Sequence, residues 1–465
     1  MKWWILFAVG IGTFMSALDG SVVNTILPVI SGFFSSDIAQ VQWVITVYML
    51  VLSGLLLSFG RLGDLRGHKK VYVAGFVVFV FSSALCGLSS SVPMLIAFRA
   101  LQALGAAMIS ANSPAILTKS FPATQRGQAL GLQATMTYLG LTVGPSLGGL
   151  LATSLNWRAV FYINIPVGLF AIWLSLRYIP SDHGKEQAER FDLAGATAFM
   201  AGLVLLLLGL NQGHARGWDS PMILGLLLAA FTILAVFLFL ERRSPHPMLD
   251  LSLFRIRLFS ISVSSAVINY ICVYSILFLL PFYLIQGRGM NPAQAGLVLT
   301  AQPIIMAIIA PLSGTLSDRI GARLPTTLGM AILSGGLLLL SRLGPDSSQL
   351  QMMVGLGVAG LGIGIFISPN NSALMGSAPR YRQGIAAGIL ATARNVGMVL
   401  GVGLAGAVYT TVLARGEAEG LVGPMFQAFS ASFTVAAIAA GLGALLSVVR
   451  QERKAEGMIA RQTGD

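Results

Sequence analysis

Charged residues are scarce in this chain of 465 residues, since only 10% are Asp, Glu, Lys or Arg whereas 55% are hydrophobic. A soluble protein of this composition would expose too much apolar surface to water. The scarcity of charge therefore excludes a soluble protein and predicts one embedded in a lipid bilayer. No loop between the apolar runs is long enough to fold alone, which disfavours an enzyme with a catalytic domain outside the membrane.

Cysteine and histidine are also rare, with two and four residues respectively. Cys86 and Cys272 fall inside predicted spans, and the histidines fall in loops. This pattern predicts neither a disulfide framework nor a metal cluster. We therefore expect no catalytic residue, no bound metal and no cofactor.

Long apolar runs are what the chain has in abundance. A helix needs about 20 mostly apolar residues to cross about 30 Å of hydrocarbon. We predict an all-α polytopic membrane protein with fourteen transmembrane helices. The predicted spans are 3–28, 41–60, 71–90, 93–118, 127–153, 158–179, 192–212, 220–240, 258–286, 295–316, 324–342, 349–375, 384–413 and 425–449.

The net charge of +12 has a definite distribution along the chain. With the N-terminus inside, 22 of the 29 Lys and Arg lie in inner segments and only five in outer ones. The positive-inside rule then places both termini in the cytoplasm, and we expect the cytoplasmic (inner) membrane as the location. The basic residues thus record topology, and we expect no nucleic-acid partner.

The chain also contains one pattern twice. Eight residues between positions 127 and 149 recur 257 positions later, and the turn around Asp64 recurs 254 positions later around Asp318. A single duplication of apolar segments is typical of a membrane transporter, with the substrate site between the halves. The offset exceeds what six spans need, so we predict two pseudo-symmetric six-helix bundles with an inserted helix pair. The predicted units are a first bundle at 1–180, the inserted pair at 191–241, a second bundle at 255–450 and a cytoplasmic tail at 451–465.

Two charges of the first half fall inside predicted spans. Asp19 is the only acidic residue well inside a span, and a charge at the bilayer centre costs about 2.5–3.5 kcal/mol, so it is a functional candidate. Arg99 on the fourth span is its candidate partner. Because protonation of Asp19 would weaken such a pair, the two residues predict proton coupling. A static buried pair is the alternative.

The turn after the second span contains Gly60, Asp64, Arg66 and Gly67. Glycines permit the reversal, and Asp64 can accept hydrogen bonds from a helix N-terminus or pair with a nearby arginine. Because the second half repeats the turn with Asp318, we predict a symmetric latch on the inner side. Simple positive-inside anchoring would explain the basic residues of the turn but not its aspartates.

The fifth span carries a second candidate gating element. Glycines spaced by four let a neighbouring helix approach closely, and a proline favours a kink, although such faces are also common packing devices. The residues are Gly140, Gly144, Pro145, Gly148 and Gly149.

Polar and aromatic residues on the spans next to the junction of the halves are candidates for a substrate cavity. Aromatic rings can stack on flat organic molecules and hold cations, with packing as an equal alternative for each. Arg394 stands apart because its repeat counterpart is Thr137, so it could bind an anionic group or pair with Asp19. The candidates are Asn24, Tyr48, Asn112, Gln133, Tyr138, Asn269, Tyr270, Tyr274, Gln302, Asn370, Asn371, Arg394 and Asn395.

These motifs together resemble the major facilitator superfamily over essentially the whole chain. The turn Gly60–Lys69 resembles its inner-loop motif, and Leu18–Pro28 resembles the first-span motif of its fourteen-span drug:proton antiporter family, the EmrB/QacA type. Arg99–Gly105 and Gly140–Gly149 resemble the fourth-span and fifth-span motifs of that family, with Ala103 where the family usually has glycine.

The resemblance implies a major facilitator fold and a secondary active transporter that exports small lipophilic organic compounds by alternating access, driven by the proton gradient without a cofactor. Asp19 would be the proton or substrate carboxylate, Arg99 its partner, the fifth-span glycines the seal between the halves and Asp64 the inner latch. The expected partners are a lipophilic small molecule, protons and the bilayer, and a periplasmic adaptor protein stays open. The alternatives are a proton-coupled importer of a small polar solute and a membrane scaffold or sensor without transport.

Overall fold

The structure, a computed structural model, is helical almost throughout its described part. Helices form because backbone groups inside a bilayer must be satisfied within their own segment. The predicted tail at 451–465 and most of the loop before the inserted pair lie outside the described residues. Those described are 1–36, 38–181, 192–217, 219–243, 251–290, 292–419 and 423–449.

Sixteen α-helices follow one another along the described residues. We call α1–α7 the first half and α10–α16 the second half. The helices are α1 (Lys2–Phe34), α2 (Ile38–Arg66), α3 (His68–Gly87), α4 (Val92–Ser120), α5 (Arg126–Ser154), α6 (Ala159–Tyr162), α7 (Asn164–Tyr178), α8 (Leu193–Arg216), α9 (Pro221–Arg243), α10 (Arg257–Phe282), α11 (Pro292–Leu299), α12 (Ala301–Ile320), α13 (Arg323–Ser341), α14 (Gln349–Ser377), α15 (Gln383–Ala418) and α16 (Pro424–Val448).

The number of spans differs from the prediction of fourteen. Within the described residues, twelve helical segments have the length and hydropathy of a membrane span, with α6 and α7 forming one and α11 and α12 another. α5 and α8 are not among them. α5 contains six glycines besides Thr, Ser and Gln side chains, and these lower its hydropathy. For α8, only the shorter segment Ala194–Gly209 could be assessed among the described residues. An all-helical protein with twelve candidate spans is therefore what length and hydropathy support.

Helix packing follows the sequence repeat. In the first half α1 packs on α5, α4 on both α2 and α3, and α7 on α3. In the second half α10 packs on α15, α14 on both α12 and α13, and α16 on α13. Helices that correspond through the repeat thus make corresponding contacts.

The two halves meet along two seams. α2 packs against α15, and α5 packs against α12, so each seam joins one helix of each half. The inserted α8 packs on α9 and also on both α2 and α15. α8 therefore lies across the α2–α15 seam and contacts both halves.

Candidate functional site

The Asp19 carboxylate is the centre of a buried polar cluster in the first half. Arg99 Nη1 donates to Asp19 Oδ2 at 2.6 Å, and Asp19 Oδ1 accepts from Gln102 Nε2 at 3.0 Å and from Asn164 Nδ2 at 2.9 Å. Asp19 is 2% exposed and Arg99 is 1% exposed. Both carboxylate oxygens are thus satisfied, and water does not reach the pair in this arrangement.

Further contacts tie the Arg99 guanidinium to neighbouring helices. Its Nη1 also donates to Gln102 Oε1 at 2.6 Å, and its Nε donates to the Val44 carbonyl at 3.3 Å. The guanidinium carbon lies 4.1 Å from the centre of the Tyr48 ring, a cation–π contact. Gln102 continues the network to Ser83 Oγ at 2.7 Å. The contacts around this one ion pair thus connect five helices, α1, α2, α3, α4 and α7.

The negative charge of Asp19 balances the buried positive charge of Arg99. Protonation of Asp19 would leave Arg99 buried beside a neutral group. Removing one partner of a buried ion pair costs about 3–5 kcal/mol, because the remaining charge is uncompensated. Such an energy is large enough to favour another arrangement of the helices. In the part of the chain that the structure describes, no group of three His, Cys, Asp or Glu residues could hold a metal ion.

Sequence reasoning identified the two charges and missed their amide partners. Gln102 stands one helical turn after Arg99, which is the signal that could have assigned it to the same carboxylate. Asn164 opens α7 and is 1% exposed, and Ser83 is fully buried on α3. A buried amide at the start of an apolar helix was the available signal for Asn164.

Asp64 and Asp318 each accept two backbone N–H bonds from the other half. Asp64, near the end of α2, accepts from Gly384 at 2.9 Å and from Ile385 at 3.0 Å, at the start of α15. Asp318, near the end of α12, accepts from Gly127 at 2.9 Å and from Gln128 at 3.1 Å, at the start of α5. A carboxylate at a helix N-terminus is favoured by the helix dipole. We call the end of the molecule that carries these contacts the latch side.

Glycines bring the backbones of the two halves together on the latch side. A Cβ atom on Gly60 would meet the Gly384 carbonyl oxygen, and a Cβ atom on Gly384 would meet that of Gly60. Gly127 and Gly314 approach each other in the same reciprocal way. Any larger residue at these four positions would separate the seams, so the latch side is closed.

The two latch aspartates differ in the residues that contact them from their own half. His68 Nε2 lies 3.3 Å from Asp64 Oδ1, and His68 Nδ1 lies 2.7 Å from Asn112 Oδ1. The position equivalent to His68 in the second half is Ala322. Asn112, which the sequence suggested as a cavity residue, therefore contacts His68 next to the Asp64 latch instead.

Two other residues of the predicted latch turn have different places. Gly67 has φ +93° and its counterpart Gly321 has φ +84°, values that L side chains rarely adopt, which explains glycine at both turns. Arg66 is exposed and takes no part in the hydrogen bonds described for the latch.

The fifth-helix glycines pack inside the first half. A Cβ on Gly140 would lie 2.6 Å from the Phe14 carbonyl oxygen, and one on Gly144 would lie 2.5 Å from Ser21 Cβ, both on α1. Gly148 faces Val22 of the same helix.

The expectation that these glycines seal the two halves against each other does not match their place. The face of α5 that meets the second half is instead the one with Gly127, Gly131 and Thr135, whose Oγ1 donates to the Ala307 carbonyl at 2.7 Å. A Cβ added at Gly149 would meet no atom within 4 Å, and Pro145 is described only by its place within α5.

The cavity candidates separate by accessibility. Tyr48 lies under Arg99, Asn370 donates to the Ser262 carbonyl at 3.0 Å, and Asn269 contacts the sulfur of Met330 at 3.6 Å. Asn24 is exposed. The other buried candidates are Tyr138, Gln302 and Asn395, and the partly accessible ones are Gln133, Tyr270, Tyr274, Asn371 and Arg394.

Three tyrosines and one arginine form a group at the junction of the halves. Tyr138 of α5 belongs to the apolar cluster of the second half, against which Tyr270 of α10 also packs. Arg394 of α15 lies close enough to the hydroxyl groups of Tyr138, Tyr270 and Tyr274 to interact with them electrostatically. Arg394 is not among the partners of Asp19, so the two charged sites are separate.

Comparison with known families and proteins gives one consistent match. Residues 9–242 and 262–463 match the model of the Major Facilitator Superfamily. The riboflavin transporter RibZ of Clostridioides difficile is 37% identical over 404 residues, covering 86% of this chain and 86% of that protein. The multidrug resistance protein Stp of Mycobacterium tuberculosis is 36% identical, covering 87% and 75%. The tetracenomycin C resistance and export protein of Streptomyces glaucescens is 32% identical, also covering 87% and 75%.

Solved structures share the fold at low sequence identity. The human organic anion transporter MFSD10 (TETRAN) has a TM-score of 0.68 at 16% identity, covering 96% of this chain and 99% of that one. The proton:xylose symporter XylE has a TM-score of 0.64 at 15% identity, covering 96% and 94%.

Proposed function

This chain belongs to the major facilitator superfamily of membrane transporters, and we propose that it exports small lipophilic organic compounds in exchange for protons. It is an integral membrane protein and a transporter, not an enzyme. The observation that carries the proposal is the buried Asp19–Arg99 pair, which joins five helices of one half in a molecule whose halves are latched at one end.

The proposed cycle links the ion pair to the two latches. In this cycle, closure of the latch side alternates with closure of the opposite side, and a proton would reach Asp19 from the side opposite the latch once the packing around the pair loosens. Neutralisation of Asp19 frees Arg99 and shifts α1 against α4. The halves then rock, and the N-termini of α15 and α5 leave Asp64 and Asp318. A membrane potential of 100 mV supplies about 2.3 kcal/mol per proton, enough for roughly fifty-fold accumulation of an exported compound.

The relatives support export and keep one competing direction. Two of them are named for drug resistance or export, which favours an exporter. A third, at 37% identity, is named a riboflavin transporter without a stated direction, so transport of a flat aromatic solute into the cell is the second candidate function.

The decisive experiment follows internal pH in proteoliposomes while lipophilic compounds are added outside. We expect compound-driven proton movement in the wild type, its loss in Asp19→Asn and its retention in Asp346→Asn, which changes an exposed carboxylate far from α1. The unfolding temperature of each variant checks that it is folded. Absence of proton movement in the wild type with every compound, or undiminished coupling in Asp19→Asn, would reject the proposal. Proton-driven uptake of riboflavin would select the importer.

The topological part of the proposal is a fourteen-span arrangement in the cytoplasmic membrane with both termini inside. α5 has 29 residues and α8 has 24, so at 1.5 Å per residue they extend about 43 Å and about 36 Å, enough to cross. α5 also corresponds through the repeat to α15, which qualifies as a span. These features support placement in the fourteen-span drug:proton antiporter family.

Single cysteines test this topology with a membrane-impermeant maleimide. Thr124→Cys and Asn156→Cys flank α5, and Ser181→Cys and Asp219→Cys flank α8, whereas Cys86 and Cys272 are buried. Each pair should label from opposite faces of the membrane. Labelling of a pair from one face would remove that helix from the spans.

A further inference from the structure

Arg394 and three tyrosines face one another near the middle of the membrane. Arg394 lies about 17 Å along α15 from its first residue, and Tyr138 lies about 18 Å along α5, at 1.5 Å per residue. Both depths are about half of the hydrocarbon thickness. Tyr138 belongs to the first half, whereas Tyr270, Tyr274 and Arg394 belong to the second. The group therefore spans the junction that opens and closes when the halves move.

Within the described residues, none of these four side chains has a hydrogen bond or an ion pair. A guanidinium carries five N–H donors, and Arg99, which also lies within a span, uses its own on Asp19, Gln102 and a carbonyl. Arg394 is partly accessible, as are Tyr270 and Tyr274. Part of the group is thus accessible, and a cation inside a span is stable only with an anion, a dipole or water beside it.

Arg394 is the charged residue of this group. Its helix, α15, packs against α10, which carries Tyr270 and Tyr274, and its positive charge acts on the hydroxyl groups of all three tyrosines. The fold does not require this charge, because Thr137 occupies the corresponding position of the first half. A cationic ligand would be repelled here, whereas an anionic one would gain a charge-assisted hydrogen bond.

A glycine sets the distance between the arginine helix and the tyrosine helix. A Cβ on Gly397 would lie 2.8 Å from Tyr270 Cβ, so only glycine lets α15 approach α10 this closely one turn after Arg394. The tyrosine rings add flat apolar faces for stacking and hydroxyl donors for a carboxylate.

We infer that Arg394, Tyr138, Tyr270 and Tyr274 form the binding site for an aromatic organic anion, in which the guanidinium holds the anionic group and the tyrosines hold the ring. The inference rests on the proposed transport function and names its substrate class. It distinguishes this protein from an exporter of lipophilic cations.

Calorimetric titration of the purified full-length protein tests the inference with three ligands of one shape: 2-naphthoate, neutral 2-naphthamide and 2-naphthylmethylammonium. The variants are Arg394→Gln, Arg394→Lys and, as matched control, Arg415→Gln, which changes an exposed arginine near the end of the same helix. We expect naphthoate to bind wild type about tenfold more tightly than naphthamide, and the ammonium compound to bind weakest.

Arg394→Gln should weaken naphthoate binding about tenfold to a hundredfold and change naphthamide binding by less than about twofold. Arg394→Lys should fall between, and Arg415→Gln should match wild type. Retained naphthamide binding shows that a variant is folded. An equal loss for both ligands, or no loss for either, would overturn the inference. So would displacement of naphthoate by high chloride alone, since the site would then hold an inorganic anion.

The experiment separates failure of this inference from failure of the proposed transport function, because binding is measured without a proton gradient. Naphthoate preference without proton movement in proteoliposomes would keep this site and reject proton antiport. Proton movement driven by neutral compounds or cations, without naphthoate preference, would keep antiport and reject this site.

Discussion

Two arginines lie within the spans, and their surroundings are opposite. Arg99 is 1% exposed and binds a carboxylate, an amide and a backbone carbonyl. Arg394 is partly accessible and, in the described part of the chain, has no hydrogen bond or ion pair. The charge of Arg99 is neutralised by a carboxylate of the protein, whereas the proposed partner of Arg394 is an anionic ligand. Burial of a charge in a membrane therefore indicates its role only when its partners are known.

The largest effect should come from removing the partner of Arg99. Asp19→Leu leaves that guanidinium buried and uncompensated, so we expect a loss of about 3–5 kcal/mol in the free energy of unfolding. Arg394→Leu, which removes a charge without a protein partner, should leave stability nearly unchanged. Chemical denaturation in detergent measures both. Comparable losses of unfolding free energy in the two variants would show that the two arginine sites do not differ in their protein partners.

A smaller effect is expected at the latches, which control access to both arginines. Asp64→Asn replaces two charge-assisted bonds by weaker ones, each worth about 1.5–3 kcal/mol, and should open the latch side in a larger share of molecules. Spin labels on Lys70→Cys and Tyr381→Cys report the distance across the α2–α15 seam.

Asp318→Asn serves as the matched variant for this measurement. It should open the α5–α12 seam, followed with a second label pair across that seam, and leave the α2–α15 distance as in the wild type. A distance distribution that stays unchanged in Asp64→Asn would show that Asp64 does not hold the latch side closed.

Glycine substitutions should separate the two arginine sites at moderate strength. Gly144→Ala pushes on Ser21, two residues from Asp19, so we expect overpacking of about 1–3 kcal/mol and weaker proton coupling. Gly397→Ala pushes on Tyr270 and should instead weaken naphthoate binding. Gly149→Ala is the control, because its added methyl would meet nothing within 4 Å. Denaturation, proton flux and calorimetry together measure the three variants. Equal effects on both functions from either glycine would show that the sites are not independent.

The smallest effect concerns a single hydroxyl group near Arg394. Tyr138→Phe keeps the ring and removes one hydrogen-bond donor, a change worth about 0.5–1.5 kcal/mol, so naphthoate should bind about twofold to tenfold more weakly. Naphthamide and proton coupling should hardly change. A loss of proton coupling in this variant would connect Tyr138 to Asp19 and blur the contrast between the two sites.

The charged core was predictable from sequence because a charge inside an apolar run is rare enough to stand out. Asp19 and Arg99 were paired correctly, and Asp64 does accept from a helix N-terminus. Asn112 was assigned to a cavity and lies behind the latch, since an amide in a span has no feature that tells a ligand contact from an internal bond.

The fifth helix shows why the remaining assignments failed. Its glycines occupy two faces, and spacing alone reveals that each face packs closely without naming the neighbour. Gly144 turned out to face α1, and Gly131 to face α12. The same glycines lower the hydropathy of α5, which is why a run predicted as a span falls outside the twelve that qualify by composition. Packing partners depend on tertiary structure, which a single sequence does not record.

The position of α8 makes the two seams between the halves different. α8 contacts both α2 and α15, whereas none of the described helices of the inserted pair packs comparably on α5 or α12. The protein is thus symmetric inside and asymmetric toward the lipid. A compound that entered from the bilayer would meet α8 at the α2–α15 seam and, among the described residues, no inserted helix at the α5–α12 seam.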